Sequence, residues 1–456
     1  MRPAKMLSGS TRVAAPVVVA LAAATLGLTA CGGGGGPGFV PAPTYTIGGA
    51  LSGLAAGQQV VLADNGADLL TLSADGAFTF KTPIAAHSAY SVTVATQPAG
   101  QTCAVANASA SSVMANVTSV AVTCDGLPRF AYVVNNGDNT VSQYSIDATG
   151  ALVPLGVAVS GSAPQSVAVD PSGRYAYVPN LNDNTVSQYT IAAGGALAPM
   201  TAATVAAGSG PRAVAIDPAG SYVYVLNSLD RTISQYAIGV DGTLTPLAPA
   251  TTATGNQPWG ITIDAAGRYA YVGNQQDNTL AQYAIGSDGT LAPLNPPTAG
   301  SGQAPSGIAV DPAGLYAYAA NLKDNTVSQY TVGMGGELAP QSPATVATGV
   351  QPVYIAVHPS GGNAYVANYA AAGAGTISQF TVGVSGSLAP MSAATVAAGK
   401  GPAWIAIDRA GHFAYVANSG DNTVSQFAIG ADGSLTPLSA PTVATGTKPF
   451  AIAIVN

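Results

Sequence analysis

The sequence predicts an all-β protein in which a small β-sandwich domain precedes a seven-bladed β-propeller with four-stranded blades. The 55 glycines and 32 prolines are spread over the whole 456-residue chain, and this argues against long helices. A repeat of about 47 residues fills nearly the last three quarters of the chain. Repeats of this length that contain four short strands are typical of propeller blades.

Two landmarks in the repeat give the number of blades. A proline recurs at intervals of 47, 47, 47, 47, 50 and 47 residues, at Pro164, Pro211, Pro258, Pro305, Pro352, Pro402 and Pro449. A tyrosine in a Tyr-Val-x-Asn context recurs at Tyr132, Tyr177, Tyr224, Tyr271, Tyr318, Tyr365 and Tyr415. Both landmarks occur seven times, and residues 128–456 amount to seven units of 47 residues.

The unit that begins at Pro164 shows the four strands of a blade. Strand A is predicted over residues 166–170, and Asp170-Pro-Ser-Gly173 forms the turn into strand B, over 175–179. Strand C follows over 185–191, after an Asn-Asp-Asn turn, and residues 195–199 lead into strand D, which ends near 208. Aromatic residues that recur in strands B and C of every unit are predicted to pack between blades.

The two ends of the repeat region complement each other. The first unit starts at a strand B, near Phe130, and the last ends after a lone strand A that contains Phe450. We therefore predict that the C-terminal strand closes blade one, which leaves no open sheet edge where the ring closes. The propeller is assigned to residues 127–456.

Residues 44–125 are predicted to form the small β-sandwich. Short strands lie near 45–47, 59–62, 77–81 and 90–94, and Asp-Asn-Gly and Asp-Gly turns separate some of them. Cys103 and Cys124 lie 21 residues apart and are predicted to form a disulfide, with two free thiols as the alternative. The domain resembles the immunoglobulin-like modules that precede propellers in bacterial lipoproteins, which implies a role as a spacer.

Residues 1–31 have the pattern of an export signal. Three basic residues precede an apolar run over 13–28, and Leu28-Thr-Ala-Cys31 resembles the bacterial lipobox. The resemblance implies that Cys31 carries lipid and that residues 32–43, rich in glycine and proline, tether the protein to a membrane. It places the protein in the bacterial cell envelope, and Gly32 after the cysteine favours the outer membrane. A plain signal peptide or an interfacial segment is the alternative.

Charge excludes several classes of partner. The chain has only 7% charged residues, with 13 Lys+Arg against 20 Asp+Glu, so it has no basic surface for nucleic acid. Loss of the three basic residues of the signal leaves 10 basic and 20 acidic residues, a net charge of −10. No motif for a cofactor is present. The three histidines have no spaced partners, so we expect no metal site, although the Asn/Asp-rich turns between strands B and C could hold Ca²⁺.

The repeat units resemble two overlapping families. Tyr-Val-x-Asn followed by Asn-Thr-Val-Ser is similar to YVTN-type propeller repeats, and the Gly-Thr-Leu-Thr-Pro-Leu run over 242–247 is similar to the seven-bladed lactonase family. That family includes 6-phosphogluconolactonases and carboxymuconate-cyclising enzymes. The resemblance covers residues 128–456 and implies the fold, with the opening of a lactone as one expected activity.

The strand directions predict which end of the propeller carries a site. Strand A begins and strand B ends on one face, so the seven prolines and the turns between strands B and C share one rim around the channel mouth. The residue after each proline varies while its surroundings repeat, and such variation is where a specific site would lie. These residues are Gln165, Arg212, Trp259, Ser306, Val353, Ala403 and Phe450, and Trp404 is one position further along. Drift at a surface position is the alternative.

The catalytic residues of the lactonase relatives are largely missing. Their His-x-His aligns with Ala163 and Gln165, their Pro-Arg-His with 211–213, and their Asn-Glu with Asn227 and Ser228. Arg212 is retained and would be the electropositive group of a lactonase. No histidine or glutamate is available at these positions to activate water. An acid–base pair of a glutamate and an aspartate would have to use Glu337, the only glutamate in the chain.

These observations favour a lipid-anchored, monomeric binding scaffold in the cell envelope over an enzyme. Its ligand would be an unidentified small molecule, glycan or protein at Gln165, Arg212, Trp259, Ser306, Trp404 and Phe450. The first alternative is a lactonase-like hydrolase with a degenerate active site, and the second is a structural surface or adhesion protein. The longer turn in blade six, over 369–375, is expected to be a neutral insertion.

Overall fold

The computed structural model of the protein describes residues 42–54, 58–98, 101–125, 129–370 and 373–455. The predicted signal, Cys31 and nearly all of the tether lie outside these residues. The described residues form strands and turns, and among them we find no helix with the length and apolar character needed to cross a bilayer.

The first ten strands form the small domain. They are β1 Thr44–Tyr45, β2 Ile47–Ser52, β3 Val60–Asp64, β4 Asp68–Leu72, β5 Gly76–Thr79, β6 Ile84–Ala85, β7 Tyr90–Thr96, β8 Thr102–Ala106, β9 Ser109–Ala110 and β10 Val117–Asp125. Two four-stranded sheets, β5-β2-β10-β8 and β4-β3-β7-β9, share one apolar core, and β1 pairs with β6. Cys103 and Cys124 face each other on β8 and β10 and form a disulfide, as the sequence predicts.

The remaining strands form seven four-stranded sheets. Blade one contains β11 Arg129–Asn135, β12 Thr140–Ile146 and β13 Leu152–Val159, and blade two contains β14 Ala168–Val169, β15 Tyr175–Asn180, β16 Thr185–Ile191 and β17 Leu197–Ala206. Blade three is β18 Pro211–Ile216, β19 Tyr222–Asn227, β20 Thr232–Ile238 and β21 Leu244–Ala253, and blade four is β22 Pro258–Ile263, β23 Tyr269–Asn274, β24 Thr279–Ile285 and β25 Leu291–Gly300. Blade five is β26 Pro305–Val310, β27 Tyr316–Asn321, β28 Thr326–Val332 and β29 Leu338–Ala347. Blade six is β30 Pro352–Val357, β31 Asn363–Asn368, β32 Ala374–Val382 and β33 Leu388–Lys400. Blade seven is β34 Pro402–Ile407, β35 Phe413–Asn418, β36 Thr423–Ile429 and β37 Leu435–Ala444, and the last strand is β38 Pro449–Val455.

The C-terminal strand completes blade one, as predicted. β38 pairs antiparallel with β11, and the sheet order of this blade is β13-β12-β11-β38. The innermost strands contact one another around the ring in the order β38, β14, β18, β22, β26, β30, β34 and back to β38. The strand A predicted over residues 166–170 is shorter in the structure, at Ala168–Val169, because the irregular segment before it pairs through the isolated bridge between Pro164 and Asn180.

Two repeated side chains hold neighbouring blades together. Each strand-B tyrosine is fully buried and donates from its hydroxyl to a glycine carbonyl of the next blade, at 2.6–2.8 Å. One such acceptor is Gly242, whose φ of 85° and contact with the Tyr175 ring leave no room for a side chain. Each strand-C glutamine accepts from a leucine amide of the next blade, at 2.6–2.7 Å. The predicted packing role of the tyrosines is therefore confirmed.

Candidate functional site

In four blades a β-bulge follows the repeat proline and sets the variable residue apart from the regular ladder. The repeat proline pairs with the asparagine that ends strand B, as Pro211 does with Asn227, and the ladder then skips one residue. In blade three the extra residue is Arg212, in blade one Phe450, in blade six Val353 and in blade seven Ala403. Because a bulge turns its extra residue out of the regular alternation, this position can vary without disturbing the blade.

The backbone before each proline is held in an unusual conformation. All seven preceding residues have left-handed φ angles of 53–66°: Ala163, Gly210, Gln257, Ala304, Gln351, Gly401 and Lys448. In five of the seven cases the amide of this residue donates to an asparagine Oδ1 in the B–C turn of the preceding blade, at 2.8–2.9 Å. We call this contact the asparagine clasp. It is missing for Gln257, where Arg231 takes the place of asparagine, and for Gly401, which follows the longer turn of blade six.

The aspartates of the B–C turns serve the backbone. In six blades the carboxylate accepts from the amide two residues before the repeat proline, at 2.5–2.8 Å. Their oxygens are therefore engaged by the rim itself, and this disfavours the Ca²⁺ alternative. Within the part of the chain that the structure describes, no three His, Cys, Asp or Glu side chains come together as a metal site would require.

Side-chain size around the ring makes the mouth asymmetric. Arg212, Trp259 and Phe450 are large and come from blades three, four and one, whereas Ser306, Val353 and Ala403 are small and come from blades five, six and seven. The rings of Trp259 and Phe450 approach with centroids 6.4 Å apart. The large side chains thus fill one side of the mouth, and space remains on the other side.

Arg212 is a cation held by aromatic rings. Its Cζ lies 3.2 Å from the centroid of the Trp259 ring and 5.7 Å from that of Phe450. Its Nε is buried without a hydrogen-bond acceptor, and none of the ion pairs between described residues includes this guanidinium. Burial lowers the pKa of Arg212 to about 9, so the side chain is still charged at neutral pH. The side chain is partly exposed, but its Nε is shielded from water and no described carboxylate pairs with the guanidinium, so an incoming anion would offset the cost of this desolvation.

A second aromatic pair lies one residue further along the strands. The rings of Tyr354 and Trp404 are stacked, with centroids 3.7 Å apart and an interplanar angle of 24°. Trp404 and Phe450 both pack against the apolar cluster formed by blades one and two. Burial raises the pKa of Tyr354, so this phenol is neutral over the physiological range.

An apolar pocket of about 300 Å³ opens on the side with the small residues. It is lined by Trp259, Leu322, Gln351, Val353, Tyr369, Ala403 and Phe450. Its size and mostly apolar lining are those of a small-molecule site. Trp259 also lines an adjoining depression of about 490 Å³, which contains Arg212, so the guanidinium borders the apolar pocket.

A polar depression adjoins the one that contains Arg212. It has a volume of about 660 Å³, shares Leu229 and Gln257 with the Arg212 depression and contains Arg231 and Lys323. The described residues that line the three depressions include three cations, no carboxylate and no imidazole. The turn aspartates lie on the same rim but bond to its backbone, so it is the lining, rather than the rim as a whole, that suits an anion better than a cation.

The structure brings together only part of the predicted site. Arg212, Trp259 and Phe450 meet at the mouth. Trp404 instead stacks on Tyr354 and packs against the same apolar cluster as Phe450, and it is not among the residues that line the pocket. Gln165 is buried and turns its amide toward the Ala163 carbonyl. Ser306 is fully buried, and its hydroxyl bonds to the carbonyls of Ala320 and Pro352, so it is not part of the pocket surface.

Tyr369 and Leu322 belong to the pocket although the sequence analysis did not select them. Tyr369 is the first residue of the longer turn in blade six, which was expected to be neutral but supplies an aromatic wall. The departure of this turn from the repeat was the available signal. Leu322 follows an asparagine in a turn of blade five and carries no such signal.

The groups that could have supplied a base are elsewhere. Glu337 lies in the turn between β28 and β29, at the end of blade five opposite the rim. His358 contacts Ser360 and the Gly411 carbonyl in the turns between strands A and B, also opposite the rim. Neither residue lies beside Arg212.

Comparison with known proteins agrees with this architecture. The family model for "Lactonase, 7-bladed beta-propeller" matches residues 67–191, 159–342 and 334–451. No curated protein matches the chain.

Solved structures share the fold at low sequence identity. A provisional 6-phosphogluconolactonase of Bacteroides fragilis is 20% identical, with a TM-score of 0.64 over 72% of this chain and 98% of its own. The periplasmic gluconolactonase of Pseudomonas aeruginosa is 18% identical, with a TM-score of 0.61 over 72% of this chain and 99% of its own. A protein of unknown function from Desulfotomaculum acetoxidans is 19% identical, with a TM-score of 0.59 over 72% of this chain and 99% of its own.

Proposed function

Because the chain belongs to the lactonase family of seven-bladed β-propellers, we propose that it opens a lactone at the channel mouth, with Arg212 as the electrophilic group. The observation that carries the proposal is the partly buried guanidinium at the border of a pocket of ligand size, whose Nε has no hydrogen-bond acceptor and which forms no ion pair with a described carboxylate. Two related folds are described as gluconolactonases, which is consistent with a lactone as the substrate class.

The chemistry follows from the groups that are present. Hydroxide adds to the lactone carbonyl carbon, negative charge develops on the carbonyl oxygen, and Arg212 stabilises that charge. The ring C–O bond then breaks, the leaving alkoxide takes a proton from water, and a hydroxy acid remains. The described lining residues contain no carboxylate or imidazole to deprotonate water, so the nucleophile comes from solvent. The rate should therefore rise with hydroxide concentration as long as Arg212 is charged.

Hydrolysis of a lactone panel by the purified full-length protein tests the proposal. Arg212→Ala should lower turnover about 10²- to 10³-fold, as expected for the loss of one preorganised oxyanion donor. Arg409→Ala is the matched control, because Arg409 is an exposed arginine near the opposite end of the channel. Turnover that is equal in Arg212→Ala and in the unchanged protein would contradict an electrophilic role.

A binding scaffold without turnover is the second candidate. It is favoured by the same absence of a base among the described lining residues. In this case a hydroxy acid or lactone binds in a way that depends on Arg212, but no lactone in the panel is opened above the rate of Arg212→Ala. A purely structural surface role would instead give neither binding nor turnover.

We also propose that the protein is a lipid-anchored, monomeric component of the bacterial envelope. The Leu-Thr-Ala-Cys sequence ending at Cys31 supports the anchor, and a related fold is described as periplasmic. Cells given a labelled fatty acid should label the natural protein but not Cys31→Ser, and only the natural protein should remain in the membrane fraction. Equal labelling of both proteins would contradict the anchor.

A further inference from the structure

We infer that the substrate or ligand of the proposed site carries a flat apolar ring next to its carboxylate or lactone carbonyl, as an aromatic hydroxy acid or its lactone does. The inference rests on the proposed function at Arg212 and names the class of molecule that this site accepts. It arises from the juxtaposition of the apolar pocket with the guanidinium across Trp259.

The pocket offers little to a polyhydroxylated ring. Leu322, Val353 and Ala403 have no polar side-chain atoms, and Trp259 and Phe450 present ring surface. Gln351 and Tyr369 supply the polar side-chain groups of the described lining, so the several hydroxyls of a sugar acid placed there would lose more contacts with water than they gain with the protein, and this would reduce affinity. A flat apolar ring would instead pack against the aromatic rings of the pocket, and contacts between aromatic rings are favourable.

The position of Arg212 decides where the charged end of the ligand lies. The guanidinium stacks on Trp259 and is 5.7 Å from the Phe450 ring, and both rings line the apolar pocket. A carboxylate that pairs with Arg212 therefore keeps a directly attached or closely linked ring within reach of Val353 and Ala403. The small residues of blades six and seven create this space, because a bulky residue at either bulge would fill it.

Binding measurements with two pairs of probes test the inference. The acids are 3-phenylpropanoate and gluconate. The lactones are 3,4-dihydrocoumarin, which opens to the 2-hydroxyphenyl derivative of 3-phenylpropanoate, and glucono-1,5-lactone, which opens to gluconate. Calorimetry on the purified full-length protein should give a Kd for 3-phenylpropanoate about 30-fold lower than that for gluconate, as burial of one apolar ring implies. Dihydrocoumarin should be opened in preference to gluconolactone.

Two variants separate the parts of the site. Ala403→Leu fills the apolar pocket and should weaken 3-phenylpropanoate at least 10-fold while it changes gluconate less than 3-fold. Arg212→Ala should weaken both acids. Since the chain has only two tryptophans, Trp404→Phe leaves Trp259 as a fluorescent reporter of the pocket, and its emission should respond to 3-phenylpropanoate. If Ala403→Leu does not fold, Val353→Phe fills the same pocket from the neighbouring blade.

The outcomes distinguish this inference from the proposed function. If both acids bind through Arg212 and a lactone is opened in an Arg212-dependent way, but the phenyl compound binds no more tightly than gluconate or pocket filling has no effect, the inference is wrong and the proposed function stands. If no probe depends on Arg212 in binding or in turnover, the proposed function fails as well.

Discussion

Replacement of Arg231 by asparagine should stabilise the propeller, because it restores the missing clasp between blades three and four. Arg231 has a φ of 58°, close to the 55–59° of the five clasp asparagines. Its carbonyl accepts from Thr254, just as the Asn184 carbonyl accepts from Ala207, both at 2.9 Å. The backbone at residue 231 therefore already has the geometry of a clasp. An asparagine at this position would place its Oδ1 where the Gln257 N–H can donate to it.

The expected gain has two parts. A new hydrogen bond to the Gln257 amide contributes about 0.5–1.5 kcal/mol. Asparagine also tolerates the left-handed backbone conformation better than arginine does. This conformation costs an ordinary residue roughly 1 kcal/mol of stability. Together they give an increase of about 1.5–2.5 kcal/mol in the free energy of unfolding, or about 2–4 °C in the apparent Tm of a protein of this size.

Scanning calorimetry on four proteins measures the effect. Arg231→Asn should unfold at a higher temperature than the natural protein, and Arg231→Ala, which removes the arginine without adding an acceptor, should not. Asn184→Ala, which removes an existing clasp to Gly210, should lower the transition by a similar amount. The reasoning would be refuted if Arg231→Asn and Arg231→Ala were equally stable, or if Asn184→Ala had no effect.

Three further predictions concern other parts of the account. Gln235→Ala should lower the free energy of unfolding by about 1–3 kcal/mol, because it leaves the buried Leu291 amide without its acceptor, and the exposed Gln276→Ala is its control in denaturant unfolding. Reduction of the Cys103–Cys124 disulfide should destabilise the small domain by about 3 kcal/mol. Urea unfolding with and without reductant measures this difference, and equal midpoints under the two conditions would contradict it. Affinity for an anionic probe should be constant below pH 9 and fall as the pH rises through about 9, where Arg212 loses its charge; a Kd that stays flat to pH 10.5 would contradict this.

The fold could be predicted from the sequence because each blade repeats the same local solution. Pro164 and its six equivalents fixed the number of blades, and the lone last strand fixed the closure. The strand-B tyrosines could be assigned to packing because they recur in every unit. The strand-C glutamines carry the same signal, a polar residue repeated within a buried strand, although the sequence analysis did not use it.

The site could be located but not assembled. The variation after each proline pointed to the channel mouth, and Arg212, Trp259 and Phe450 lie there. Whether such a residue faces the pocket depends on the geometry of the bulge and on the size of the side chain. Ser306 is therefore buried in the interior, whereas Val353 and Ala403 line the pocket and leave space in it because they are small. The left-handed residues before proline oppose the usual local preference, and the asparagine clasp that supports them is a contact between blades that no single repeat reveals.

A crystal structure of the protein with bound 3-phenylpropanoate would test the central claim most directly. The account predicts carboxylate oxygens within about 3 Å of the Arg212 guanidinium, at hydrogen-bond distance. It also predicts that the phenyl ring lies in the pocket between Trp259, Val353 and Ala403. A ligand bound elsewhere on the propeller, or a carboxylate that does not contact Arg212, would contradict the account.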